Sequence, residues 1–161
     1  MNPNPSEGYV RVERRGTISH IEFSHPQSNS LPSAVLADLA QAIRNEGHDP
    51  AVHVIVLRSG GDRVFCGGAS FTELASIRTE VQGLAFFSGF AHVINAIRTV
   101  PKFVVGRVQG KAVGGGVGLA SAVDYCIATQ HAAVKLSELA VGIGPFVVGP
   151  AVERKMGLSA M

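Results

Sequence analysis

Two glycine clusters constrain this chain more than any other feature. Phe65-Cys66-Gly67-Gly68-Ala69 and Gly114-Gly115-Gly116-Val117-Gly118 each follow a short apolar run, and each precedes a helical pattern. Glycines grouped at the ends of apolar runs signal tight turns and close backbone approach, not a flexible linker. The second cluster opens a helix, whose first N–H groups lack intrahelical partners and suit an anion. The same glycines also serve a turn that only lets strand and helix pack, and the pattern leaves both uses open. Two such loops in one chain can bring two N–H donors to a shared point, which is how an oxyanion hole is built. A dinucleotide fingerprint fails on spacing: counted from Gly114 the sixth position is Leu119, and counted from Gly116 it is Ser121. Gly110-Lys111 is followed by Ala112, so a phosphate loop fails too. A nucleotide-binding α/β domain is therefore disfavoured, and neither G-x-S-x-G nor H-E-x-x-H occurs.

A length of 161 residues fits one domain, and 46% hydrophobic against 16% charged residues supports a buried core. Disorder and coiled coil are excluded on those grounds. A net charge of +2 and 6% aromatics without Trp give no case for nucleic acid. Residues 1–8 read as a flexible tail without the apolar stretch of a leader, and residues 9–161 read as the domain. No apolar run reaches the roughly 18 residues of a membrane span. Cys66 and Cys126 sit far apart in apolar surroundings and read as buried reduced thiols, so a cytoplasmic setting is expected.

Strands are expected over Tyr9–Arg15 and Thr17–Phe23 as a hairpin, then over Val52–Leu57, Lys102–Val108, Tyr125–Ala128 and Ala133–Leu136. A first helix starts near Pro32, capped by Ser30, buries Val35, Leu36, Leu39, Ala42 and Ile43, and ends at Gly47. Ser70–Ile77 forms one or two helical turns. Glu80–Arg98 is a longer helix with Leu84, Phe87, Ala91, Ile94 and Ile97 in register, and Pro101 breaks it. Leu119–Val123 and Ala151–Met156 are short helices. Strands alternating with helices give an α/β fold whose unit is two short strands and a helix.

Glu138, in Lys135-Leu136-Ser137-Glu138-Leu139-Ala140-Val141, is a lone carboxylate among apolar neighbours. Such a group is placed for acid/base work or, equally, for an exposed edge or a helix cap. Asp124 closes a helix–strand turn, and Glu73 faces either solvent or a site. The six histidines lie scattered without metal spacing, so no metal is expected.

These residues resemble the enoyl-CoA hydratase/isomerase (crotonase) superfamily from about Val10 to the last residue. Asn29-Ser30-Leu31 is similar to the early Asn-Ala-Leu motif, and Val54-Ile55-Val56-Leu57 with Phe65-Cys66-Gly67-Gly68-Ala69 to the strand and loop of the first oxyanion amide. Val108-Gln109-Gly110-Lys111-Ala112-Val113-Gly114-Gly115-Gly116 resembles the second, and Ser137-Glu138-Leu139 to Pro145 the region of the later catalytic acid. The resemblance implies a crotonase-like spiral of repeated ββα units. It implies that the amides of Ala69 and Gly115 hold the thioester carbonyl of an acyl-CoA, with Gly68 and Gly116 beside them and Glu138 as acid/base. Coenzyme A then arrives as part of the substrate and no other cofactor is needed. A homo-oligomer, trimer or hexamer, is implied if the family's C-terminal region is present.

Two departures bear on the reaction. The position resembling the first glutamate of two-glutamate hydratases is Gly118, which favours double-bond isomerisation over hydration unless Glu73 or an ordered backbone group replaces the partner. The chain also stops before the C-terminal helices that in the family cap the acyl pocket and form the trimer; if it is complete as given, an exposed apolar face is expected near Phe146 to Val152. The resulting reading is an acyl-CoA enzyme of the hydratase/isomerase type. The alternative is a catalytically impaired acyl-CoA binding or oligomerising remnant of the same family.

Overall fold

The structure, a computed structural model, describes residues 7–161. Most of the expected tail, residues 1–6, lies outside the described residues. From Tyr9 onward β1 (Tyr9–Arg15) and β2 (Ile18–Ser24) form the antiparallel hairpin, turning at Gly16 with φ +61°. Three further strands, β4 (Val54–Ser59), β7 (Phe103–Val108) and β9 (Tyr125–Ala128), add in parallel and give a five-stranded sheet in the order β1-β2-β4-β7-β9. Each parallel step needs a crossover, and each crossover carries a helix.

Each crossover also drops one or two short strands into a second layer, and one more follows β9. These are β3 (Ser30–Leu31), β5 (Val64–Cys66), β6 (Gly68–Ala69), β8 (Lys111–Val113) and β10 (Val134–Lys135). They pair only in parallel, β3 with β6 and in the order β10-β8-β5. The helices are α1 (Ser33–His48), α2 (Phe71–Ser76), α3 (Glu80–Thr99), α4 (Gly115–Ala122) and α5 (Gly149–Met156). Successive turns stack α1 on α3, α3 on α4 and α4 on α5. The result is the expected spiral of ββα units.

Alternation sets the core. Ile21, Phe23, Ile55, Leu57 and Val104 point inward from the large sheet and are fully buried. They meet Val35, Leu39 and Ile43 of α1 and Val93, Ile94 and Ile97 of α3. Phe23 and Phe65 meet edge to face with centroids 5.4 Å apart. Thr79 and Gln82 close a reciprocal capping box that starts α3.

Several expectations are corrected. Ser30 is not a cap; it sits in β3, and Pro32 at the start of α1 has no side-chain cap bond. Gly47 does not end α1, which runs to His48; the glycine is buried against Val100, whose side chain fills the space a β-carbon would need. The inward face of α3 begins with Phe86 and Phe90, while Leu84 is 70% exposed and Phe87 39%. The helix expected over Leu119–Val123 starts four residues earlier, at Gly115. The face expected near Phe146 to Val152 is mostly covered: Phe146 is exposed, but Val148, Ala151 and Val152 are buried. Cys66 is buried, whereas Cys126 is half-buried; both are free thiols.

Candidate active site

Parallel pairing of β5, β8 and β10 brings their C-terminal ends together, and each strand delivers a loop at that edge. Beyond β5 come Gly67, Gly68 and Ala69; beyond β8 come Gly114 and Gly115; beyond β10 come Ser137 and Glu138. The carboxyl edge of parallel strands is where α/β folds place their sites.

The two glycine loops touch. A β-carbon on Gly68 would lie 3.0 Å from the Val113 carbonyl oxygen and 3.6 Å from the Gly115 nitrogen. Gly68 has φ +93° and Gly114 has φ +53°, conformations that L side chains avoid. Gly115 is the first residue of α4, where the helix supplies no acceptor for the amide. Its Cα faces the Phe90 ring, 2.5 Å from where a β-carbon would stand. Gly116 instead packs against Cys66, whose carbonyl oxygen would meet a β-carbon at 2.6 Å.

The third loop carries the acid. Gly114 donates its N–H to the Lys135 carbonyl at 2.9 Å, which fixes the end of β10 beside the second glycine loop. A 3-10 turn over Glu138–Val141 follows, closed by Gly142 with φ +74°. Glu138 Oε1 stands 3.4 Å from the β-carbon position of Gly114, and Oε2 is buried with no hydrogen-bond partner among the described residues. A buried carboxylate oxygen without a partner is uncommon, because desolvation is then uncompensated.

These loops border a cavity of about 120 Å³. Phe71 and Leu74 of α2, Phe86, Phe87 and Phe90 of α3, and Val148 before α5 form its apolar walls. Among the described residues that line it only Ser137 and Glu138 have polar side chains, and Glu138 is the one ionisable group among them. The arrangement can hold an acyl-sized apolar group, present backbone N–H donors from a helix start, and move one proton.

Ala69, Gly68, Gly115 and Glu138 therefore come together. Gly116 lies behind the wall against Cys66. Glu73 is not brought in: its Oε2 accepts the Ser33 N–H at 2.8 Å, so the carboxylate caps α1. Gly118 is not brought in either, since a β-carbon there would meet Val148 Cγ1 at 2.5 Å and Ile94 Cδ1 at 3.1 Å. The aromatic wall comes from α2 and α3, and Pro145 closes the motif region that carries Glu138, but Val148 belongs to no motif. Asp124 sits at the turn between α4 and β9 and accepts the Val104 N–H at 2.9 Å. Among the described residues no three His, Cys, Asp or Glu side chains cluster as metal ligands would, and no helix is long and apolar enough to cross a membrane.

A family model described as enoyl-CoA hydratase/isomerase matches residues 13–161. The bacillaene synthase dehydratase of Bacillus subtilis is 30% identical over 149 residues, covering 92% of this chain and 57% of that protein. An enoyl-CoA hydratase of Alternaria alternata is 33% identical over 153 residues, covering 94% of this chain and 49% of its own length. The crystal structure of enoyl-CoA hydratase from Bacillus anthracis superposes with a TM-score of 0.88 at 27% identity, over 94% of this chain and 59% of that one. The chain thus spans about half the length of the curated relatives it matches.

Proposed function

The chain belongs to the enoyl-CoA hydratase/isomerase family and has its crotonase fold, and from that premise we propose that it shifts the double bond of an enoyl-CoA. Glu138 takes a proton from C2 of a 3-enoyl thioester. The C–H pair moves into the C1–C2 bond and the carbonyl π pair onto oxygen. The amides of Ala69 and Gly115 stabilise that oxyanion, a contribution of about 3–4 kcal/mol for a well-aimed donor. Glu138 returns the proton to C4, the oxyanion collapses, and the double bond lies between C2 and C3 with no change in mass.

One observation carries the reading: among the described residues the only ionisable side chain lining the cavity is a carboxylate with a buried, unpartnered oxygen, beside two touching glycine loops. A single acid suffices to move one proton between two carbons. Water addition is better served by two carboxylates; Gly118 carries none and packs against Val148, and the Glu73 carboxylate is committed to the Ser33 N–H. The substrate brings coenzyme A and no further cofactor takes part; the two free thiols fit a cytoplasmic setting, and a homo-oligomer follows where the family's C-terminal region is present.

Chromatography with mass detection of a 3-enoyl-CoA after incubation tests this. The expected product is the conjugated 2-enoyl-CoA at unchanged mass, and Glu138→Gln lowers turnover by at least about 100-fold while sparing thioester binding. A product heavier by one water overturns the isomerase assignment in favour of hydration. Binding without turnover in the unsubstituted protein favours the binding-only alternative.

A further inference from the structure

We infer that Asn29 is a positioning residue that holds the first oxyanion amide, Ala69, in place; this rests on the function proposed above. Asn29 is 5% exposed and sits in a loop where both it and Ser28 adopt left-handed backbone, φ +53° and +54°. Neither is glycine, so the conformation costs energy and persists only where its surroundings over-determine it.

The surroundings do so through the segment that leads to Ala69. The Asn29 side-chain amide donates to the Val64 carbonyl at 2.8 Å and to the Gly60 carbonyl at 3.0 Å. Its Oδ1 accepts the His25 N–H at 2.8 Å. The strained backbone holds the other end of the same segment. Gly67 donates its N–H to the Ser28 carbonyl at 3.0 Å and the Asn29 carbonyl at 3.3 Å. The next two residues of each strand then pair in register, Ser30 with Gly68 and Leu31 with Ala69. A β-carbon at Gly67 would meet the Ser28 carbonyl at 2.9 Å, so the loops fit only as closely as they do because that position is glycine.

Gln109 secures the same carbonyl from the far side. Its Nε2 lies 3.3 Å from the Val64 oxygen and 2.8 Å from Ser59 Oγ. The start of β5 is thereby fixed by two side-chain amides, and its end by the backbone of Asn29. Ala69 lies two residues beyond Gly67 on a two-residue strand, so its N–H direction follows from these bonds. Asn29 itself is absent from the cavity lining and touches no reacting atom.

Asn29→Asp and Asn29→Gly test this, because both residues tolerate positive φ while neither can donate to Val64. The probe is butyryl-CoA labelled with carbon-13 at the thioester carbonyl, read by difference infrared spectroscopy at saturation. The unsubstituted protein and Glu138→Gln should both shift the carbonyl stretch to lower frequency. Both Asn29 variants should lose most of that shift, and kcat should fall up to about 100-fold with KM changed far less. A full shift in either folded Asn29 variant, with native circular dichroism, overturns the positioning role alone. No shift in the unsubstituted protein with probe bound overturns the oxyanion reading itself, and the positioning role with it.

Discussion

A β-carbon on Gly118 would stand 2.5 Å from Val148 Cγ1 and 2.8 Å from Val148 Cβ, while the ordinary limit is above 3.0 Å. Val148 is β-branched and 3% exposed, so rotation cannot clear both atoms. Two effects therefore oppose each other in Gly118→Ala. Helix propensity gains about 1 kcal/mol, and overpacking costs about 1–3 kcal/mol. Overpacking should win, giving a net loss of about 1 kcal/mol in denaturant unfolding. In a Val148→Gly background, where both contacting atoms are gone, the loss should shrink; a loss that persists in full there would show the crowding lies elsewhere. The absence of a second glutamate was legible at this position, but its closure by Val148 was not. Val148 lies 30 residues away, and no local pattern links it to α4. Glu138 was legible because a carboxylate among Leu136, Leu139 and Val141 breaks an apolar run. The buried, unpartnered state of its Oε2 depends on the β8–β10 pairing and needed the fold.

At the scale of elements, Glu73 links two helices. Pro32 cannot cap α1 through its side chain, and Glu73 on α2 accepts the Ser33 N–H at 2.8 Å in its place. A carboxylate at a helix start is favoured by both the free N–H and the helix dipole. Glu73→Ala should cost about 1 kcal/mol in thermal or denaturant unfolding. Turnover per folded molecule should stay within about twofold, because the cavity does not include this side chain. A large fall in kcat would return Glu73 to the site. Sequence left Glu73 between solvent and site because α2 has only six residues and no buried face. The same limit hid β3 and β6: a period of two cannot be read from two residues. The phase of α3 was misread for a different reason. Val81, Leu84, Phe86, Phe87 and Phe90 are apolar around the whole N-terminal half, so several faces fit the helical period equally. Its C-terminal half, with Ile94 and Ile97, has one apolar face and was read correctly.

Across the whole molecule, the strands of the large sheet and the helix order were legible because the five strands have ordinary lengths and alternate with helices after the hairpin. The convergence of loops at one edge was not, since it follows from the parallel register of strands two or three residues long. The spiral also leaves its ends to be fastened, and charge does this at the hairpin. Arg14 of β1 donates through Nε and Nη2 to the two oxygens of Glu46, each at 2.9 Å, and Nη2 also reaches Asp49 Oδ2 at 2.6 Å. Glu46 lies on α1 and is only 7% exposed. The Arg14 hydrogen bonds hold its carboxyl below the usual carboxylate range against the opposing effect of burial. Asp49 is held low by the Ala51 N–H and then by Arg14. A carboxyl with a depressed folded pKa binds fewer protons folded than unfolded. Its stabilisation is present above the unfolded value, near 4.3 for Glu, and is lost as pH falls through the lower folded value. Arg14 is 42% exposed, so solvent screens the pair and Glu46→Gln should cost about 1 kcal/mol at pH 7. In a domain of this size that is a fall in Tm of about 3 °C. The gap between parent and variant should hold constant from neutral pH to about 5, then close as pH falls below about 4. Thermal melts across that range check it. A gap that stays open at pH 2.5 would mean that packing of the side chain, not its charge, fastens β1 to α1.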